Sequence, residues 1–292
     1  MHEAKTMPEY NSCFYAKESV EISVLEKNRT LTLASLQKWK FYAQPQPLNS
    51  SSDTVALHLP LVVMAKPVAN RDSEFERQAT DAQRQHWETV HSQKPSMFGE
   101  TPSDPAQRAV QLFKKDAVAK LLELGAGQGR DTIFFAREGF QVWALDYSEI
   151  AVKTITQKAQ AFGMANSVKA IGHDVRKALP FSDASFDGCY SHMLYCMALT
   201  TAELEFLSDE VRRVLRPGGL NIYTVRHTKD PDFGTGRHRG EDMYEVGGFV
   251  VHFFSREKVD HLARGWEILG IEAFEEGMLP RKLFGVTLRK PG

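Results

Sequence analysis

From about residue 76 the chain alternates between two apolar periods. Short, nearly continuous apolar runs at 119–124, 141–145, 168–171, 186–191 and 220–225 have the length of buried strands. The segments between them repeat apolar positions every three to four residues, as helices do. Residues 76–91 are expected to form a helix, followed by a loop at 93–101 that contains Pro95, Met97, Phe98 and Gly99. Ser103-Asp104-Pro105 opens a second helix that reaches about Lys115. A third starts near Arg130 and stops at Gly139, and Ser148 caps a fourth that ends at Gly163. Thr200-Thr-Ala-Glu203 is a capping box ahead of Leu204, Leu207, Val211, Val214 and Leu215. Arg216-Pro-Gly-Gly219 ends that helix, and Ser255 opens a last one to about Arg264. Strands alternating with helices imply a doubly wound α/β fold with a mostly parallel sheet. The final two strands, near 267–274 and 282–289, have no helix between them and should pair antiparallel.

The first 75 residues differ. Val20, Ile22 and Val24 alternate, Leu31 and Leu33 follow, and Glu26-Lys-Asn-Arg29 lies between them as a hairpin would place it. Asn49-Ser-Ser-Ser-Asp53 has the composition of a linker. Residues 1–75 are read as a short N-terminal appendage, either a small β unit or a flexible extension. Residues 76–292 are read as one domain whose first part, 76–116, is a helical cap.

The chemistry concentrates between Glu123 and Asp174. The first central strand runs into Glu123-Leu-Gly-Ala-Gly-Gln-Gly129, and the second ends in Asp146. A glycine turn between strand and helix lets a ligand approach the backbone closely. Asp146 is placed to accept two hydrogen bonds from a ribose diol. A dinucleotide fingerprint spaces its glycines G-x-G-x-x-G, and its pyrophosphate sits on the helix N-terminus. Here the spacing is G-x-G-x-G, and Glu123 would repel a pyrophosphate but suits a cationic ligand.

These residues resemble those of the class I S-adenosylmethionine-dependent methyltransferases. Glu123 to Gly129 is similar to motif I, and Asp146 to the acid ending strand two. Gly172-His-Asp174-Val175 is similar to the turn after strand three, and Leu215-Arg-Pro-Gly-Gly-Leu220 to the turn before strand five. The resemblance implies a Rossmann-like seven-stranded sheet with an antiparallel last strand. It also implies S-adenosyl-L-methionine as cofactor, held by Glu123, Gly125, Gly127, Gly129, Asp146, Tyr147, Asp174, Val175 and Ser191. Within the class the chain looks nearest to the tellurite-resistance and thiopurine-type small-molecule enzymes, whose helical cap closes over the cofactor.

The acceptor end is less defined. Strand four ends at Ser191-His192, where His192 is placed to orient or deprotonate a nucleophile. The long, glycine-rich stretch 226–248 is read as a substrate lid, with Arg226, His227, Arg239 and Tyr244 as acceptor contacts and arginines suited to an anion. The expected reaction is in-line methyl transfer to a small thiol, metalloid oxyanion, amine or acid. Two other readings stay open: a protein-modifying methyltransferase that docks through residues 1–75, and a cofactor-binding protein without turnover.

Bulk properties narrow the partners. Net charge is −1, and the strand-four end lacks the Pro-Pro-Tyr/Phe element of base methyltransferases, so nucleic acid is not expected. No apolar stretch reaches membrane-spanning length, since the longest, 55–65, is broken by His58 and Pro60. Three cysteines without paired or metal spacing and the lack of a leader-like N-terminus fit the cytoplasm. His227, His252 and Asp242 lack metal-ligand spacing, and no metal is expected.

Overall fold

The computed structural model describes residues 24–26, 29–31, 71–277 and 281–292. The chain divides between Ser73 and Glu74 into two units. In the first, β1 (Val24–Glu26) and β2 (Arg29–Leu31) pair antiparallel, with Glu26 opposite Arg29. The linker expected at 49–53 and most of the appendage at 1–75 lie outside the described residues.

The second unit begins within α1 (Arg71–Gln93) and continues with α2 (Asp104–Lys115). There follow β3 (Lys120–Leu124), α3 (Arg130–Arg137), β4 (Gln141–Asp146), α4 (Glu149–Ala161), β5 (Val168–Gly172) and β6 (Phe186–His192). Then come α5 (Thr201–Val214), β7 (Leu215–Arg226), β8 (Arg237–His238), β9 (Met243–Val246), β10 (Phe249–His252), α6 (Arg256–Leu262), β11 (Glu267–Glu276) and β12 (Arg281–Arg289). The main sheet has seven strands in the order β11-β12-β7-β6-β3-β4-β5. Its five inner-to-edge strands from β7 to β5 are parallel, while β12 runs antiparallel to both β7 and β11. The sheet is Rossmann-like, with the seven strands and the antiparallel last strand expected from the sequence.

Local sequence explains the helix starts. Ser103, Ser148, Thr200 and Ser255 each accept the backbone N–H three residues on, and Glu203 closes the capping box by accepting from Thr200 N–H. Alternation along β3 sorts the core. Leu121 faces Phe113, Ile133, Phe135 and Ile155 from α2, α3 and α4. Leu122 and Leu124 face the opposite side, toward Leu204, Leu207 and Val211 of α5. Glu123 therefore shares the α3 side of the sheet.

Three boundaries depart from expectation. β7 starts at Leu215 because Leu215 already pairs with Phe186; the register then jumps to Gly188 opposite Leu220 across the Arg216–Gly219 turn. β11 runs on to Glu276 because Glu275 and Glu276 pair with Lys282 and Arg281. The stretch 226–248 is not an unstructured lid. It carries β8 and β9, which with β10 form a three-stranded antiparallel sheet. Gly247 and Gly248 sit at φ +59° and +86° between Val246 and Phe249, a two-residue turn in which both positions need positive φ.

Candidate active site

The carboxyl ends of β3, β4, β5 and β6 open into a cavity of about 430 Å³. Gly125 and Gly127 line it at φ +68° and +53°. A methyl on Gly125 would stand 2.8 Å from Leu194 Cβ, so the turn tolerates only glycine there. Gly129 does not line the cavity. It holds φ +79° at the start of α3 and lies against Ile155, which makes it a packing glycine between α3 and α4.

Two carboxylates flank this turn. Glu123 is buried and accepts a 2.6 Å hydrogen bond from the Thr132 hydroxyl. Burial, then the nearby Asp131 charge, pushes its carboxyl up to about 8. Asp146, 7% exposed, accepts Gly127 N–H at 2.8 Å on one oxygen and Ser148 N–H at 2.9 Å on the other. Each oxygen keeps a lone pair for a ligand. Burial raises the Asp146 carboxyl, against the pull of those two donors.

Tyr147, Asp174 and Val175 also line the cavity. Asp174 is gripped by Arg176, with Nη2 at 2.7 Å; burial raises its carboxyl, but Arg176 outweighs this and brings it below the ordinary value. Ser191 lies fully buried on β6, and its hydroxyl is unpartnered among the described residues and off the cavity wall. Strand alternation turns it into the sheet while His192, one residue on, lines the cavity.

His192 forms the far end. Its Nδ1 lies 2.8 Å from Thr224 Oγ1, and its Nε2 lies 3.5 Å from Glu276 Oε2. Burial raises the Glu276 carboxyl, but His192, Arg130 and Arg281 outweigh it and hold the group ionised below its usual range. Met193, Leu194, Met197, Phe249 and Val251 make the adjoining wall apolar.

The other acceptor contacts expected from sequence are elsewhere. His227 stacks on Phe284 at 4.0 Å, Tyr244 packs edge-on against Phe233 at 5.4 Å, and Arg239 pairs with Glu245; none lines the cavity. His227 follows β7 and is held against β12, where its N–H bonds Lys282 O, while Tyr244 and Arg239 find their partners within the insert region. Arg226 does line the cavity, but Asp230 and Asp232 bind its guanidinium. It is therefore committed to a structural ion network rather than to an incoming anion.

The cap contributes what sequence reasoning missed. Gln83, Trp87 and His91 of α1 line the cavity. Gln83 donates to Gly248 O and accepts from Val250 N–H, both at 3.1 Å, joining α1 to the three-stranded insert. Gln128 of the glycine turn donates to Lys94 O at 2.8 Å. Gln83, Trp87 and His91 recur at helical spacing, a signal that was legible; Glu276 carried none. No cluster of metal-ligating side chains exists among the described residues.

The positive-φ turn, the buried carboxylate behind it and the two-acceptor Asp146 fit a ligand with a cationic end and a diol. The model of the methyltransferase-domain family matches residues 121–219, the stretch that builds these features. Residues 121–219 are a methyltransferase domain. Over 175 residues the chain is 31% identical to sterol 24-C-methyltransferase ERG6B of Gibberella zeae, covering 55% of this chain and 43% of that protein. It is 26% identical over 191 residues to 24-methylenesterol C-methyltransferase 2 of Oryza sativa, covering 64% and 49%. The chain thus spans less than half the length of these curated relatives. In fold it is similar to 1,6-didemethyltoxoflavin-N1-methyltransferase of Burkholderia thailandensis, with a TM-score of 0.59 at 17% identity over 87% of this chain and 96% of that one. It is also similar to TehB of Haemophilus influenzae, with a TM-score of 0.52 at 15% identity over 70% and 67%.

Proposed function

We propose that this methyltransferase domain transfers a methyl group to a small, largely apolar molecule through an O–H, N–H or S–H group. One observation carries the reading: a single cavity runs from Glu123 and Asp146 to the His192–Glu276 pair, with an apolar wall between. When bound, S-adenosylmethionine supplies an electrophilic methyl on a sulfonium. Glu123 would face its cationic end, Asp146 its ribose and Asp174 its adenine. The methyltransferase-domain match supports these roles.

His192 and Glu276 would receive the proton that the acceptor gives up when it takes the methyl, whose bond to the sulfonium sulfur breaks and leaves a neutral thioether. Thr224 fixes the imidazole so that this pair keeps one geometry. Met193, Leu194, Met197, Phe249 and Val251 exclude water from the reacting atoms. Arg226 is occupied by two aspartates and so does not offer its charge to an anionic acceptor. The acceptors named for the relatives above, a sterol and 1,6-didemethyltoxoflavin, are in keeping with a small molecule.

The test is formation of S-adenosylhomocysteine with thiophenol, phenol, benzylamine, benzoate and tellurite, and with the small-molecule fraction of a cell extract. Turnover with a protic apolar compound is expected. Turnover with tellurite or benzoate alone would overturn the acceptor class. Tight cofactor binding without any turnover would favour a non-catalytic role.

A further inference from the structure

His91, in the last turn of α1, carries a ring nitrogen whose partner is missing. The tautomer follows from counting hydrogens. Ser148 Oγ has one, and it points to Glu88 Oε2 at 2.8 Å, an ionised carboxylate that also accepts Glu149 N–H and Ile150 N–H. Ser148 Oγ accepts Ala151 N–H at 3.1 Å. Its 3.1 Å contact with His91 Nδ1 is therefore an Nδ1–H donated to the hydroxyl. That leaves the lone pair on Nε2. Among the described residues this atom is buried with no hydrogen-bond partner, in a side chain only 4% exposed that lines the cavity. Burial lowers its proton affinity more than the charges of Asp146 and Glu88 raise it, which favours the neutral ring.

The neighbourhood offers acceptors in excess. Asp146, close enough for its charge to act on His91, has one free lone pair per oxygen after its two backbone donors are counted. A ligand that satisfies this corner must bring two adjacent hydroxyl donors, as a ribose does. Buried acceptors without donors are rare in folded proteins and call for an explanation, and this one belongs to a side chain that lines the cavity.

We propose that His91 Nε2 accepts one ribose hydroxyl of the nucleoside ligand while Asp146 accepts the other. This rests on the cofactor reading above. It makes a cap residue a direct ligand contact, so that α1 reads the ribose from outside the central sheet.

Calorimetry on wild type and His91→Phe, with S-adenosylhomocysteine, adenosine, 2′-deoxyadenosine and 3′-deoxyadenosine, tests it. In wild type, loss of either hydroxyl should weaken binding. In His91→Phe the S-adenosylhomocysteine Kd should rise about tenfold, the scale of one buried hydrogen bond. One of the two deoxy penalties should shrink to within twofold while the other persists. A second measurement leaves the protein unaltered: in ¹⁵N-histidine spectra of wild type, the unprotonated Nε2 resonance should shift upfield with adenosine and not with one of the deoxynucleosides. If both penalties survive in His91→Phe, or the Nε2 resonance ignores adenosine, the proposal is wrong. If wild type fails to bind S-adenosylhomocysteine at all, the cofactor reading itself falls.

Discussion

Glu276 Oε2 lies 3.5 Å from His192 Nε2, although the two residues stand on strands separated in the sheet by β7 and β12. The contact exists because β11 and β12 continue together beyond the register at which His192 pairs with Thr224. A positioned acid–base pair contributes roughly 10²–10⁴ to rate. His192→Ala and Glu276→Gln should therefore each lower kcat by about 10² or more and leave the S-adenosylhomocysteine Kd within about twofold. Steady-state kinetics with calorimetry checks this; a matched loss of cofactor affinity would place the pair at the cofactor instead.

Glu123 predicts a pH dependence of binding. Its raised carboxyl keeps a proton in the ligand-free protein below pH about 8. A cationic ligand favours the ionised form, so binding should release a proton at pH 7. S-adenosylmethionine affinity should rise from pH 6 to 8 and level off above. Glu123→Gln should flatten the curve. For stability the sign is opposite: the unfolded carboxyl releases its proton near its ordinary value of 4.5, so the ligand-free protein loses stability as pH rises from there toward 8. Calorimetry in buffers of different ionisation enthalpy reads the proton directly.

Asp146→Asn keeps the side-chain shape but replaces one accepting oxygen with a donor. Gly127 N–H or Ser148 N–H then faces an amide nitrogen, and one ligand hydroxyl loses its charged acceptor. Hydrogen bonds to charged groups contribute about 1.5–3 kcal/mol, so the cofactor Kd should rise roughly 10- to 150-fold. An unchanged Kd would move the diol elsewhere.

Gly125→Ala and Gly129→Ala test the two uses of glycine in the turn. Both residues have positive φ, and each new methyl meets a side chain at 2.8 Å, from Leu194 and Ile155 respectively. Overpacking of this kind costs about 1–3 kcal/mol, so both variants should lower Tm. Only Gly125→Ala should also weaken cofactor binding out of proportion, because only Gly125 lines the cavity.

Arg226 and Arg239 should separate cleanly. Arg226 is buried with Asp230, and removal of one member of such a pair typically costs about 3–5 kcal/mol. Arg226→Ala should therefore unfold at markedly lower denaturant. Arg239→Ala, which frees a half-exposed Glu245, should change stability by less than about 1 kcal/mol and leave turnover intact. A strong activity loss in Arg239→Ala would restore the lid reading of 226–248.

The order of strands and helices was legible in the sequence because its causes are local. Apolar period, caps at Ser103, Ser148, Thr200 and Ser255, and the positive-φ glycines each act within a few residues. The cavity edge was legible for the same reason: Glu123, Gly125, Gly127, Asp146 and Asp174, which line it, sit at the ends of successive parallel strands, and parallel crossovers bring those ends together. The insert at 237–252 was misread because its charged residues mask the alternation, although Val246-Gly-Gly-Phe249 spelled a hairpin turn. Tertiary structure alone decided which other side chains face the cavity. His91 meets Ser148 across 57 residues, and Gln83 meets Val250 across 167. Arg226 looks available to an anion in the sequence, and the fold gives it Asp230 and Asp232 instead. Contacts of this range depend on how helix, insert and sheet edge pack, and no single segment contains the apolar area or the hydrogen-bond partners that set that packing.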